Sequence, residues 1–149
     1  TGDPNNQSLS QRIEFTKAAV LIIKENFWFG IGTGNCKIAY QQAYKKMNSQ
    51  LCEKNYGIVH NQYLSYLSKF GIIGFLYILF VFSFVLINKG NYQNELLVLF
   101  LLIFLIANFG DLLWETHVGL SFFVFFFSLF LWHSPVELIL KTKDDNVSL

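Results

Sequence analysis

Apolar residues are scattered before position 70 of the chain and nearly continuous after it. Three apolar runs occur in the second half, Gly71 to Ile87, Leu96 to Trp114 and Val118 to Trp132. The first two approach the length of about 20 residues that crosses a bilayer, and the third reaches it if Val136 to Leu140 continues it. A soluble helix would keep a polar face at a period near 3.6, and Phe122 to Phe130 shows no such face. The pattern predicts three transmembrane helices, at about 71–88, 95–114 and 118–134.

The first 70 residues contain the only long polar part of the chain and are interpreted as a water-facing lobe. Thr1 to Gln7 is predicted to be a loop, and Ser8 or Ser10 can cap a helix from about Gln11 to Glu25. A short helix followed by an irregular loop is predicted between Ile38 and Asn55. The apolar residues expected near one face of the first helix are Ile13, Val20, Ile23 and Phe27.

Composition agrees with a membrane protein, because 53% of residues are hydrophobic, 17 are Phe and only 14% are charged. The chain starts at Thr1 without an initiator Met or a signal peptide, so we expect the C-terminal part of a longer membrane protein. The predicted fold class is an all-α membrane protein. Amphipathic helices occupy a lobe at 1–70, three transmembrane helices and a tail occupy 71–149, and the whole is expected to be a fragment of a larger helical bundle.

Charge gives the lobe its expected partners and orientation. Before Gly71 the chain has one Arg and seven Lys against four acidic residues, which suits an anionic partner. Phosphorylated lipid or diphosphate fits a membrane surface, whereas nothing resembles a nucleic-acid module. The flanking lysines place Lys89 to Asn94 and the tail from His133 in the cytoplasm, with the lobe outside. Asp111, Glu115 and His117 would then share the membrane face of His60, either for function or to reach water.

Two side chains in the lobe are candidates for chemistry. His60, followed by Asn61, lies where the polar chain meets the first apolar run, and histidine suits proton transfer near neutral pH. The alternative is a helix cap or an amphipathic anchor at the interface. Arg12 lies in the first turn of a predicted helix, where the dipole disfavours a cation. That position indicates an anionic ligand, or else a solvated surface arginine.

Three glycines alternate in the segment Asn26 to Asn35, where they allow the backbone to approach a ligand or a bilayer closely. Neither nucleotide-binding fingerprint fits their spacing. The aromatic residues 27–29 are expected to enter the membrane interface. Cys36 and Cys52 can form a disulfide if the lobe is periplasmic, and two cysteines without a CxxC or a histidine pair do not make a metal site.

Together these motifs resemble the C-terminal region of the O-antigen ligase and polymerase superfamily of bacterial membrane proteins. The resemblance covers about residues 8 to 90, although Thr16 and Phe27 replace a Trp and a Pro that are common in the family. In order, the matching motifs are Arg12 opening a helix, Gly30-Ile31-Gly32-Thr33-Gly34, His60-Asn61-Gln62-Tyr63-Leu64 and Gly71-Ile72-Ile73-Gly74.

The resemblance implies a GT-C-like glycosyltransferase of the bacterial inner membrane, with its active lobe in the periplasm. It would move a glycan from undecaprenyl diphosphate to a sugar hydroxyl of lipid A core or of another glycan, without a metal or other cofactor. Arg12 would bind the diphosphate and His60 would act on the acceptor hydroxyl. The residues expected to bind substrate are Asn61, Tyr63, Lys17, Lys24, Gly30, Gly32 and Gly34.

Other functions remain open from the sequence. A polymerase that joins repeat units, or a transferase that glycosylates protein hydroxyls, would carry the same motifs. A non-enzymatic subunit that docks anionic lipids or takes part in transport is the alternative from another class, and it should tolerate His60→Ala.

Overall fold

The computed structural model describes the backbone of residues 5–87, 91 and 93–147, and the same side chains apart from 85, 86 and 133–147. The described part contains helices and no strand, which confirms the all-α class. Lys89 and residues 1–4 of the predicted N-terminal loop lie outside the described residues. The helices are α1 (Ser8–Glu25), α2 (Cys36–Lys46), α3 (Gln62–Ile87), α4 (Glu95–Ala107) and α5 (His117–Val147).

The chain forms two compact units, which are described separately. The first comprises Thr1–Leu79 together with Asn108–Leu112, and the second comprises Phe80–Ala107 together with Leu113–Leu149. The short segment Asn108–Leu112 therefore belongs with the residues of α1, α2 and the first part of α3. It follows directly on the end of α4, which ends at Ala107 rather than at the predicted Trp114.

The core of the first unit forms where α1 packs against α2. The apolar residues expected near one face of α1 do not form its buried face, since Ile13 is 44% exposed and Val20 is 38% exposed. Ala18 and Ala19 are fully buried instead, because small side chains allow the two helices to approach closely. The predicted serine caps are also absent, as the N-cap of α1 is Gln7 and makes no side-chain cap hydrogen bond. The buried residues of this core are Phe15, Ala18, Ala19, Ile22, Tyr40, Ala43, Tyr44, Leu51 and Val59.

Tyr44 ties α2 to the loop that leads to His60. Its ring stacks on Tyr56 at 4.4 Å between centroids, and its hydroxyl donates to the Gly57 carbonyl oxygen at 2.8 Å. Burial raises the pKa of Tyr44, so the hydroxyl keeps its proton and remains a donor. The loop before α3 is thus fixed to the core from one side.

α3 is interrupted at Gly71, whose φ of 63° and ψ of −172° are non-helical. A break leaves carbonyls before it and N–H groups after it without intrahelical partners. The loop that follows α1 supplies these partners with its own backbone. The four hydrogen bonds are Ile31 N–H to Ser68 O at 2.9 Å, Gly32 N–H to Lys69 O at 2.8 Å, Ile72 N–H to Phe27 O at 2.8 Å and Ile73 N–H to Trp28 O at 3.3 Å.

Gly30 and Gly71 allow the loop and the interrupted helix to touch. A Cβ atom at Gly30 would lie 2.5 Å from the Lys69 carbonyl, and one at Gly71 would lie 2.4 Å from the Trp28 carbonyl. Both glycines have positive φ, 68° and 63°, which is unfavourable for other residues. The segment Asn26 to Asn35, called the glycine loop below, therefore makes its close backbone approach to α3.

The prediction of a disulfide between the two cysteines was wrong, since neither is disulfide-bonded. Cys36 begins α2 and is buried, and its thiol donates to the Gly32 carbonyl oxygen at 3.3 Å. Cys52 is exposed in the loop after Leu51, and its backbone N–H donates to Asn5 Oδ1 at 2.7 Å. The first thiol therefore turns toward the glycine loop, and the second faces solvent.

The second unit is held together by aromatic side chains of α3, α4 and α5. Phe104 and Phe123 lie 4.7 Å apart between ring centroids, and Trp114 lies 5.3 Å from Phe123. Asn94 caps α4, because its Oδ1 accepts the Leu97 N–H at 3.1 Å. This packing accounts for the phenylalanine-rich composition of the region.

Among the described helices, the stretch Gln62–Phe84 of α3 is long and apolar enough to cross a membrane, with a mean hydropathy of 2.0. Glu95–Ala107 and His117–Trp132 are apolar but shorter. By length and composition, α3 is thus a membrane-span candidate. The predicted total of three spans remains a prediction.

Candidate functional site

His60 lies in the loop before α3, and its imidazole contacts two elements of the first unit. The ring is 6.0 Å from the ring of Phe15 on α1, between centroids. Its Nδ1 is 3.5 Å from Asp111 Oδ1, and its side chain is 43% exposed. His60 is therefore positioned from both sides but remains accessible.

Asp111 is the carboxylate partner of His60. The Leu112 backbone N–H donates to Asp111 Oδ1 at 2.8 Å, and this bond, with a smaller contribution from His60, lowers the pKa of Asp111 below its ordinary value of 3.8. Asp111 is thus a carboxylate at neutral pH. A carboxylate next to Nδ1 favours the tautomer with the proton on that nitrogen, which leaves Nε2 as the basic one.

Arg12 reaches the same segment from α1. Its Nη1 donates to the Gly110 carbonyl oxygen at 3.3 Å, and its positive charge also lowers the pKa of Asp111. The two residues predicted to be catalytic therefore meet at Asn108–Leu112. Asp111 contacts His60, a pairing that the sequence did not predict. The shared membrane face of His60, Asp111, Glu115 and His117 remains a prediction.

Asn61 holds the segment 108–112 against the start of α3. Its Nδ2 donates to the Phe109 carbonyl oxygen at 3.1 Å, and its Oδ1 accepts the Leu64 N–H at 3.0 Å as the cap of α3. The Gln62 backbone N–H adds a bond to the Asn108 carbonyl oxygen at 3.0 Å. Asn61 thus lies next to the site and connects the start of α3 to the segment 108–112.

Tyr63 follows one residue into α3 and packs against the same segment. Its ring is 4.5 Å from that of Phe109 and 6.4 Å from that of Phe75, between centroids. Its exposure is intermediate, so part of the side chain is accessible beside Asn61.

The two lysines expected near the diphosphate lie on α1. Lys17 Nζ is 2.7 Å from Glu14 Oε1, and this pair, together with a hydrogen bond from Ser49, lowers the pKa of Glu14. Lys24 is exposed one residue before the end of α1, about 18 Å along the helix from Arg12 at 1.5 Å per residue. Lys24 is therefore remote from Arg12, whereas the role of Lys17 remains a prediction.

The three glycines have different surroundings. Gly30 packs against the backbone of α3, and Gly32 donates its N–H to Lys69 there. No atom lies within 4 Å of a Cβ placed at Gly32 or at Gly34, so both of these glycines border open space.

Asp111 is the site residue that sequence reasoning did not select. It was expected on the same membrane face as His60, but its role was left open between function and contact with water. The signal that selects it is the contact between distant parts of the chain, which a single sequence does not display. Within the described residues, no group of three potential metal-binding side chains occurs.

Comparison with known families gives one match. The model of the family described as O-antigen ligase matches residues 2–79, which is more than half of the chain and includes Arg12, the glycine loop, His60 and Gly71. Comparisons with curated proteins and with solved structures found no match. The helical fold, the apolar α3 and the matched motifs agree with this result, and the chain belongs to the O-antigen ligase family.

Proposed function

We propose that this chain carries the catalytic lobe of a membrane glycosyltransferase that acts as an O-antigen ligase. It transfers a glycan from polyprenyl diphosphate to a sugar hydroxyl of lipid A core, at the periplasmic face of the bacterial inner membrane. The observation that supports this proposal is the meeting of Arg12, His60 and Asp111 at the segment 108–112. Family membership supports the general class of reaction.

Arg12 stabilises the leaving group in this proposal. Transfer breaks the bond between the anomeric carbon and the diphosphate oxygen, and the bonding electrons stay on the diphosphate. A guanidinium offers two parallel N–H donors to a phosphate, so it can neutralise the developing charge without a metal ion. Lys17 and Lys24 add positive charge to the surface of α1, which attracts the anionic donor, and do not contact the diphosphate directly.

His60 activates the acceptor. As the acceptor oxygen forms its bond to the anomeric carbon, its proton passes to Nε2 of His60. Asp111 stabilises the imidazolium that results and holds the ring in place. Asn61 and Tyr63 border the site and bind sugar hydroxyls, and Gly32 and Gly34 leave room for the substrate.

The test is transfer of a lipid-linked glycan by the purified full-length protein, with a chelator present. His60→Ala should lower turnover by about a hundredfold or more, because positioned proton transfer typically contributes this factor. His133→Ala is the control, since it removes a histidine that the sequence places in the cytoplasmic tail. Loss of wild-type activity on chelation would remove the metal-independent mechanism.

The same assay separates the ligase from its alternatives. A product on lipid A core supports the ligase, a longer lipid-linked glycan indicates the polymerase, and a glycosylated protein indicates the protein transferase. Normal turnover of both His60→Ala and Arg12→Ala would instead favour a subunit that docks anionic lipids.

A further inference from the structure

A cleft of about 590 Å³ opens in the first unit, at the opposite end of α1 from Arg12. It is formed by the last turn of α1, the glycine loop and one side of α2. Its volume is within the range of small-molecule sites. Glu25, which lines it, lies about 20 Å along α1 from Arg12, so the cleft is separate from the site at His60.

The side chains that line this cleft match a sugar. Asn35 and Gln42 provide carboxamides, each with two N–H donors and a carbonyl acceptor, and Asn26 adds a third whose Nδ2 already donates to the Ile22 carbonyl oxygen at 3.2 Å. This combination suits neighbouring hydroxyl groups, which both donate and accept. Ile31 and Ile38 also line the cleft, and Ile38 is 57% exposed, so an apolar surface is available for the face of a sugar ring.

The charges in the cleft favour a neutral ligand. Glu25 and Lys46, the two charged residues among those that line it, form an ion pair with each other. The pair leaves no net positive charge, whereas a phosphate or diphosphate site requires an excess of cationic donors. The cleft thus differs in kind from the surroundings of Arg12.

We propose that this cleft binds a sugar unit of the glycan that lies several units away from the bond being formed. The proposal rests on the proposed function and deepens it, because it gives the enzyme a means of selecting long glycans. A lipid carrying one sugar can reach Arg12 and His60 but does not extend along α1 to the cleft. A longer glycan can occupy both.

The experiment compares two donors with the full-length protein, the lipid-linked glycan extracted from source cells and the same lipid carrying a single sugar. Gln42→Ala and Asn35→Ala should each lower kcat/KM for the long donor by about three- to tenfold, the worth of one hydrogen bond between uncharged groups. The loss should be in KM, with kcat unchanged. Transfer from the single-sugar lipid should not change.

Gln41→Ala is the matched control, since Gln41 is the exposed neighbour of Gln42 on α2 and does not line the cleft. Equal losses for both donors, equal effects of Gln41→Ala and Gln42→Ala, or no loss at all would overturn the proposal. A Cys introduced at Gln42 provides a further test. If inorganic diphosphate protects this Cys from labelling, the cleft is a phosphate site and not a sugar site.

A binding measurement tests the cleft even if the protein is not a transferase. If the wild-type protein transfers nothing, binding of the delipidated glycan is measured by calorimetry on the same variants. Weaker binding to Gln42→Ala than to Gln41→Ala supports the cleft as a sugar site without any transferase activity. Identical binding overturns it.

Discussion

Arg12 and His60 are each exposed, and they form a site because both contact the segment 108–112. Arg12 is bonded to Gly110 O, and the next residue, Asp111, contacts His60 Nδ1. One short segment therefore sets the distance between a cation for the leaving group and a base for the acceptor. Preorganised groups of this kind need little rearrangement when charge develops.

Replacement of Arg12 tests the role of the cation. Arg12→Ala should slow transfer by about a hundred- to a thousandfold, by analogy with the loss of one donor to an oxyanion. Arg12→Lys should restore little, because lysine lacks the planar fork. Lys37→Ala is the control, since Lys37 is an exposed lysine of α2 with no proposed role, and it should retain near-normal turnover. Near-normal turnover of Arg12→Ala would contradict the assignment.

Replacement of Asp111 tests the pair with His60. Asp111→Asn keeps the shape but removes the negative charge next to Nδ1, so we expect kcat to fall by about tenfold or more while KM stays the same. Asp111→Glu should restore part of the activity if the charge is what matters. Glu53→Gln, which removes a carboxylate paired with Lys45, is the control. A change in KM alone would show that Asp111 contributes to substrate binding rather than to the action of His60.

At the scale of elements, backbone hydrogen bonds join the glycine loop to the break in α3. The loop supplies four backbone hydrogen bonds to an interrupted helix that is also the best candidate for a membrane span. Unsatisfied backbone groups are costly next to a bilayer, so these bonds allow α3 to break at the point where the lobe joins it. They also fix the first turns of α3, which follow directly on His60 and Asn61.

If the loop and the break in α3 depend on glycine in this way, alanine substitutions at four glycines should lower the stability of the protein by different amounts. Gly30→Ala and Gly71→Ala should each cost about 3 kcal/mol or more, since positive φ and collision with backbone act together. Gly32→Ala should cost about 1 to 2 kcal/mol, because its φ of 76° is unfavourable but the space is open. Gly34→Ala, with neither constraint, should stay within about 0.5 kcal/mol of wild type.

Thermal unfolding in detergent, monitored by circular dichroism, measures the series. Equal stability of the Gly30→Ala and Gly34→Ala proteins would show that the loop does not lock α3 through its backbone. Loss of activity in Gly34→Ala without loss of stability would instead support its predicted contact with substrate.

Local patterns account for the elements that the sequence predicted, and distant contacts account for those it missed. The extent of α1 follows from the asparagine and glycine residues that end it. The larger apolar residues were expected near one face of α1, whereas Ala18 and Ala19 are part of its buried face because close packing selects small side chains. The contacts of Arg12, His60 and Gly71 join distant parts of the chain, which periodicity does not encode.

At the scale of the whole molecule, the contact between His60 and Asp111 constrains the membrane topology. His60 precedes α3 and Asp111 follows α4, and their side chains are 3.5 Å apart. If α3 crosses the bilayer, the chain must return to the same face before Asp111. The shorter α4, about 20 Å long at 1.5 Å per residue, must then carry the return together with the residues that flank it. The prediction of three spans therefore requires α4 to be a span despite its length.

Cysteine labelling in intact cells tests the three-span topology, in a background with Cys36 and Cys52 replaced by Ser because Cys52 is exposed. A probe that cannot cross the membrane should label a Cys at Gln42 and a Cys at Thr116, both outside, but not one at Gln93, between α3 and α4. Thr116 is the informative position. With α3 as the single span, Gln93 and Thr116 would both be protected, and the contact between His60 and Asp111 would be impossible in the membrane. Labelling at Gln93 alone would invert the orientation, and the lobe would then lie on the cytoplasmic side, away from a periplasmic acceptor.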